Sequence, residues 1–78
     1  MLFYVKVDYE MIMIYQDKKH NISCVDYGFV QAKDEDRVRD LVQNYYQVMD
    51  VKNLKIYVFL ADKDSIGEVT KFVLIDNE

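Results

Sequence analysis

The chain has 78 residues, 51% of them hydrophobic and 14% aromatic, with a net charge of −4, one cysteine, two glycines and no proline. This length holds one domain, residues 1–78, around one small core, and excludes a large enclosed active-site cavity. The acidity works against nonspecific attraction to nucleic acid or an anionic membrane and favours basic partners.

The first element is a strand over residues 2–15. Phe3, Val5, Val7, Tyr9, Met11, Met13 and Tyr15 share one parity, and Leu2, Tyr4, Lys6, Asp8, Glu10, Ile12 and Ile14 share the other. Seven apolar or aromatic positions against a face charged at its centre predict a sheet with one buried side. Leu2–Val7 is too short for a secretory core, and no apolar run reaches the length of a membrane span. The lone Cys24 has no cysteine to bridge to, so a reducing, cytoplasmic location is expected.

Gln16–Asn21 is a polar run that fits a hairpin loop. A second strand follows over about 22–32, where Ile22, Cys24, Val30 and Ala32 share a parity that Asp26 and Gly28 interrupt. A bulge near Asp26–Gly28 would reconcile the two halves. A helix is predicted over 35–49. Asp34 is placed to cap it, Glu35 and Asp36 complement its dipole, and Val38, Leu41, Val42, Tyr45, Val48 and Met49 form one apolar face with Tyr46 at its border. Residues 50–53 end the helix, 54–61 read as a third strand, 62–67 as a turn and 68–75 as a fourth strand, in which Val69, Val73 and Ile75 share a parity.

The expected class is therefore α+β: a single four-stranded sheet with one helix on one face, in the order ββαββ. That element order resembles the β-grasp group and the small immunoglobulin-binding domain of protein G. The resemblance implies that the first and last strands pair in parallel at the centre; a four-stranded meander is the alternative.

No residues group into a catalytic constellation. His20 lies in the polar run beside Lys19 and Asn21, and Cys24 lies inside an apolar strand without a CxxC partner, where a small buried hydrophobe is the expectation. Asp62, Asp64 and Gly67 imitate part of a calcium loop, but Ile66 and Val73 stand where ligands belong, and turn chemistry accounts for the run. No metal or cofactor is expected, and no enzymatic activity.

Tyr27-Gly28-Phe29-Val30 ahead of an acidic-led helix, with Ile56-Tyr57-Val58, resembles the aromatic signatures of the RNA recognition motif. That resemblance implies base stacking on Tyr27, Phe29 and Tyr57. The opening positions are Val25 and Asp26 rather than basic residues, and the two signatures come in reversed order.

Two surfaces are candidates for contact with a partner. Glu35, Asp36 and Asp40, beside Asp34, present negative charge to a basic protein as a nucleic-acid mimic would. Leu2, Tyr4, Ile12 and Ile14 lie on the side of the first strand that the helix should leave bare. The expectation is a small acidic, non-catalytic protein that docks to a macromolecule. In size, acidity and one-helix plan it resembles phage-encoded inhibitors of host defence, anti-CRISPR proteins among them. A single-stranded nucleic-acid module and a subunit that self-associates through the first strand, as a homodimer, are the alternatives.

Overall fold

Two 14-residue strands, β1 (Leu2–Tyr15) and β2 (Lys18–Gln31), form the antiparallel hairpin at the centre of the computed structural model, which describes residues 1–62 and 69–77. Gln16 and Asp17 make the whole connection. Both have positive φ, 52° and 61°, the backbone that lets a two-residue turn follow the twist of its strands. The polar run expected as a loop is therefore mostly strand: Lys18, Lys19, His20 and Asn21 face Tyr15, Ile14, Met13 and Ile12, which gives their backbone groups partners.

Pairing runs without a shift from Leu2↔Gln31 to Tyr15↔Lys18, so the expected bulge at Asp26–Gly28 is absent. Each of the two interrupting residues instead has its own reason to face inward. A Cβ on Gly28 would run into the Phe72 ring, so glycine is what admits that ring to the sheet. Asp26 accepts hydrogen bonds from groups at the rim of the core. The shift in the sheet lies elsewhere, between β1 and β3, where Asp8 faces Lys55 but Glu10 faces Lys52. Asn53 takes up the extra residue with a φ of 56°.

The remaining elements are α1 (Glu35–Gln47), β3 (Lys52–Leu60) and β4 (Phe72–Ile75). Asp34 caps α1 as expected: its Oδ1 accepts from the Arg37 backbone N–H at 2.8 Å. The helix ends two residues short of the predicted Met49, with Val48 as its C-cap and Asp50 at a φ of 51°. Its buried stripe is also turned from the predicted one. Val38, Val42 and Tyr46 are fully buried, Leu41, Tyr45 and Met49 flank them half-buried, and Val48 is exposed. Tyr46, placed at the border by spacing alone, is the largest fully buried side chain.

The sheet order is β3-β1-β2-β4, which is neither the grasp-like order nor a meander. β1 and β4 are not neighbours. β3 pairs antiparallel with β1, and β4 pairs in parallel with β2, Gly28 opposite Phe72 and Gln31 opposite Ile75. The place open to Phe72 is over Gly28 on β2, and the Tyr27 and Gln31 carbonyls accept from the Lys71 and Asp76 amides at the two ends of β4. This register reverses the predicted parity of the last strand: Phe72 and Leu74 turn inward, while Val73 and Ile75 are 62% and 59% exposed. Val69 lies outside the strand, and Glu68 and most of the expected turn, 63–67, lie outside the described residues.

The core joins Phe3, Val5, Val7, Tyr9 and Val30 of the hairpin to Val38, Val42 and Tyr46 of α1, with Ala32 and Phe72. A 13-residue helix is about 20 Å long, whereas a 14-residue strand reaches roughly 45 Å. Helix coverage runs out at Tyr9. Met11, Met13 and Tyr15, expected in the core, are 39%, 54% and 62% exposed on a two-stranded arm that projects past the rest of the sheet. The molecule is correspondingly elongated, 45 × 26 × 16 Å.

Candidate docking surfaces

The sequence-derived contact residues fall in three separate places. Leu2 and Tyr4 lie near one end of the outer sheet face, Ile12 and Ile14 lie on the arm at the other end, and Lys6, Asp8 and Glu10 stand between them. Glu35, Asp36 and Asp40 belong to α1, on the opposite layer.

Registers define the outer face. Tyr4 is opposite Phe29 on β2 and Phe59 on β3, Lys6 is opposite Tyr27 and Tyr57, and Val73 and Ile75 extend the face onto β4. Tyr27, Phe29 and Tyr57 therefore do share one face. Tyr4 and Phe59 join them, with Tyr4 stacked on Tyr27 at 5.8 Å and tilted against Phe29 at 5.4 Å. Much of this surface meets solvent: Tyr57 is 41% exposed and Phe59 53%. Phe59, Val73 and Ile75 escape the sequence reading because their outward orientation follows from which strand each one pairs with.

Lys6 Nζ sits 5.5 Å from the centre of the Tyr57 ring and 4.0 Å from Asp8 Oδ1. Lys55 and Lys52 lie on the same face, opposite Asp8 and Glu10, so each of these three lysines stands beside a carboxylate. Among the described residues the lysines of this face are interleaved with acids and do not form the continuous basic rim that a phosphate backbone requires.

On the helix, Arg37 and Arg39 stand among the acids Glu35, Asp36 and Asp40, and each is engaged in contacts with other parts of the fold. Arg37 binds Asp76 through two nitrogens, at 2.7 and 3.3 Å, and ties the end of β4 to the start of α1. Arg39 donates to the Ile56 carbonyl at 2.8 Å and to Glu35 at 3.3 Å. Glu35 is largely compensated by that pair, whereas Asp36 and Asp40 are exposed.

A polar cluster closes the inner layer where the helix ends. The Tyr46 and Tyr9 hydroxyls donate to Asp26 Oδ2 at 2.6 and 2.7 Å, and Lys71 Nζ reaches the same oxygen at 3.2 Å. Burial pushes the Asp26 carboxyl up, but the hydrogen bonds from Tyr46, Tyr9 and Lys71 together outweigh it and hold the group below the usual carboxylate range. Burial, with the adjacent carboxylate, pushes both phenols above their ordinary range, so they remain donors. The Lys71 ammonium is raised chiefly by its hydrogen bond to Asp26. All four groups satisfy one another, and the arrangement fastens β2, α1 and the approach to β4.

His20 is exposed on the arm, 6.4 Å from the Tyr15 ring, and Cys24 is half-buried with Sγ 3.9 Å from the Ile22 carbonyl. Among the described residues no three metal-ligating side chains converge, and no helix is long and apolar enough to cross a membrane. Residues 63–67 of the calcium-loop imitation lie outside the described residues. Comparison with known protein families, with curated proteins and with solved structures returns no match for this chain.

Proposed function

We propose that this is a small acidic, non-catalytic binding protein whose outer sheet face docks onto a protein partner of net positive charge. The observation that carries this reading is the outer face itself. Leu2, Tyr57, Phe59, Val73 and Ile75 are each at least 41% exposed on one side of the sheet, and Tyr4, Tyr27 and Phe29 lie between them. Aromatic and aliphatic groups held on a rigid sheet lose little entropy on binding and supply the kind of anchor that dominates interface energies.

The basic character of the partner follows from charge. The chain carries −4, Arg37 is paired with Asp76 and Arg39 with Glu35 at the surface, and Asp36 and Asp40 are exposed on the same helix. A net negative charge speeds encounter with a cationic surface more than it prolongs the complex. An inhibitor of a nucleic-acid-binding host protein, of the phage-encoded type, is one protein that would work in this way.

The shared face of Tyr27, Phe29 and Tyr57 favours a second reading, single-stranded nucleic acid stacked on those rings. One set of measurements separates the two. Fluorescence anisotropy with short single-stranded RNA and DNA is expected to show no salt-dependent binding; a clear signal at micromolar protein would establish the second reading instead. Affinity capture from the source cells is expected to retain a specific basic protein with wild type and to lose it with Phe59→Asp. With that partner purified, Asp36→Lys together with Asp40→Lys is expected to slow association at low salt and to have a much smaller effect at high salt. An unchanged on-rate would remove the acids from the function, and retention of the partner by Phe59→Asp would remove the sheet face.

A further inference from the structure

We infer that two copies of this chain pair through the free edge of the β1 arm, Met11–Tyr15, running antiparallel about a two-fold axis at Met13. This contact lies at the opposite end of β1 from Leu2 and Tyr4 and stands independently of the docking face.

β3 accompanies β1 only as far as Glu10, which faces Lys52; beyond it, among the described residues, that edge of β1 has no strand beside it. An edge strand is normally protected by charge, and β3 follows that practice with Lys52 and Lys55. The β1 arm does not. Its sequence is Met-Ile-Met-Ile-Tyr, apolar on both faces, and Ile14 and Tyr15 are 69% and 62% exposed. A two-stranded ribbon alone in water is at best marginally stable, so a third strand on this edge would supply what the arm lacks.

The sequence of the edge is complementary to itself. In an antiparallel pairing centred on Met13, Ile12 of one copy faces Ile14 of the other, and Met11 faces Tyr15. No charge is set against a like charge. The backbone agrees with this register. Ala61 N–H donates to the Leu2 carbonyl, so the even residues of β1 turn their backbone groups toward the β3 side. On the free stretch those residues are Ile12 and Ile14, the pair that would exchange hydrogen bonds across the axis. Met13 would meet its counterpart in the closer, non-hydrogen-bonded spacing.

The lane beside β1 also has the right length. The stretch of β1 beyond Glu10 is Met11–Tyr15, so the same five residues of a partner's arm fill it and end at Lys52, the start of β3. Even complete burial of the exposed surface of the five residues in both copies would remove only on the order of 1,000 Å², so the pairing buries less than a stable interface does. A reversible dimer that dissociates on dilution is the expected consequence.

Sedimentation velocity across roughly 1 μM to 1 mM chain is the first test, with circular dichroism to confirm that each variant is folded. Wild type is expected to pass from monomer to dimer, and Ile14→Lys to shift the midpoint upward by tenfold or more. The register is tested by Met13→Cys in a Cys24→Ser background, because the close antiparallel spacing at the axis suits a disulfide. That variant is expected to cross-link under mild oxidation, while Ile12→Cys in the same background remains largely uncross-linked. A monomer throughout the range overturns the proposal. So does a dimer indifferent to Ile14→Lys, or one in which Ile12→Cys cross-links as fast as Met13→Cys. Self-association lost with Phe59→Asp but kept with Ile14→Lys would place the contact on the outer sheet face and overturn it equally.

Discussion

Replacing Tyr46 with phenylalanine removes a single oxygen and keeps the ring, which is fully buried, tilted against Tyr9 and edge-on to Tyr45 and Phe72. What is lost is the 2.6 Å hydrogen bond to Asp26. A phenol donating to a carboxylate contributes about 1.5–3 kcal/mol. The lower half of that range applies here, because Tyr9 and Lys71 still reach the same Asp26 oxygen after the change. A domain of this size has a total stability on the order of 4–12 kcal/mol, so the loss is a substantial share and corresponds to a fall in Tm of about 6–16 °C.

Urea titration at neutral pH measures this directly, and the pH dependence gives a second readout with a defined sign. The Asp26 carboxyl is held below its ordinary range in the folded protein. Its contribution is therefore complete above the unfolded value, near about pH 4, and is lost as pH falls through the lower folded value. Between about pH 4 and pH 2 the wild type should lose more stability than Asp26→Asn, which has no proton to take up. A Tyr46→Phe protein within about 0.5 kcal/mol of wild type, or an Asp26→Asn protein with the wild-type acid slope, would refute the argument that this cluster holds β2 to the helix.

Gly28→Ala should destabilise by about 1–3 kcal/mol through overpacking against Phe72, and Phe72→Leu should recover part of that loss; additive effects in a double-mutant cycle would count against the contact. Val42→Ala, at the centre of the buried stripe, should cost about 2–3 kcal/mol, while the exposed Asp40→Ala stays within about 0.5 kcal/mol; equal effects in urea would mean that the helix is rotated from the observed orientation. Arg37→Met should raise amide exchange in Phe72–Ile75 more than in β1, because Arg37 ties the end of β4 to the helix through Asp76. Unchanged protection in β4 would show that backbone pairing with β2 holds that strand by itself.

Local chemistry was readable from the residues. Alternation over Leu2–Tyr15 specified a strand and which of its faces turns inward, because side chains in a strand have a period of two whatever the strand pairs with. Asp34 announced the helix start for a similarly local reason, since capping needs only an acceptor placed before the first turn. The helix length was readable to within two residues, but nothing local told that the hairpin would outrun it, so alternation assigned Met11, Met13 and Tyr15 to a core that stops at Tyr9.

What depends on partners distant in sequence was not readable. Asp26 and Gly28 look like defects in a strand until Tyr46, Tyr9 and Lys71 converge on the first and the Phe72 ring closes over the second. Which edge of the hairpin each later strand would join was equally hidden, and that choice turned Val73, Ile75 and Phe59 outward and placed them with Tyr4, Tyr27 and Tyr57. Neighbouring residues settled the kinds of element, their order and the inward parity of the first strand as far as Tyr9, whereas the strand order, and with it the composition of the surface available to a partner, was settled by packing between distant segments. The physical reason is that periodicity and capping are settled within a few residues, whereas the choice of sheet edge rests on complementary shapes between residues more than forty positions apart.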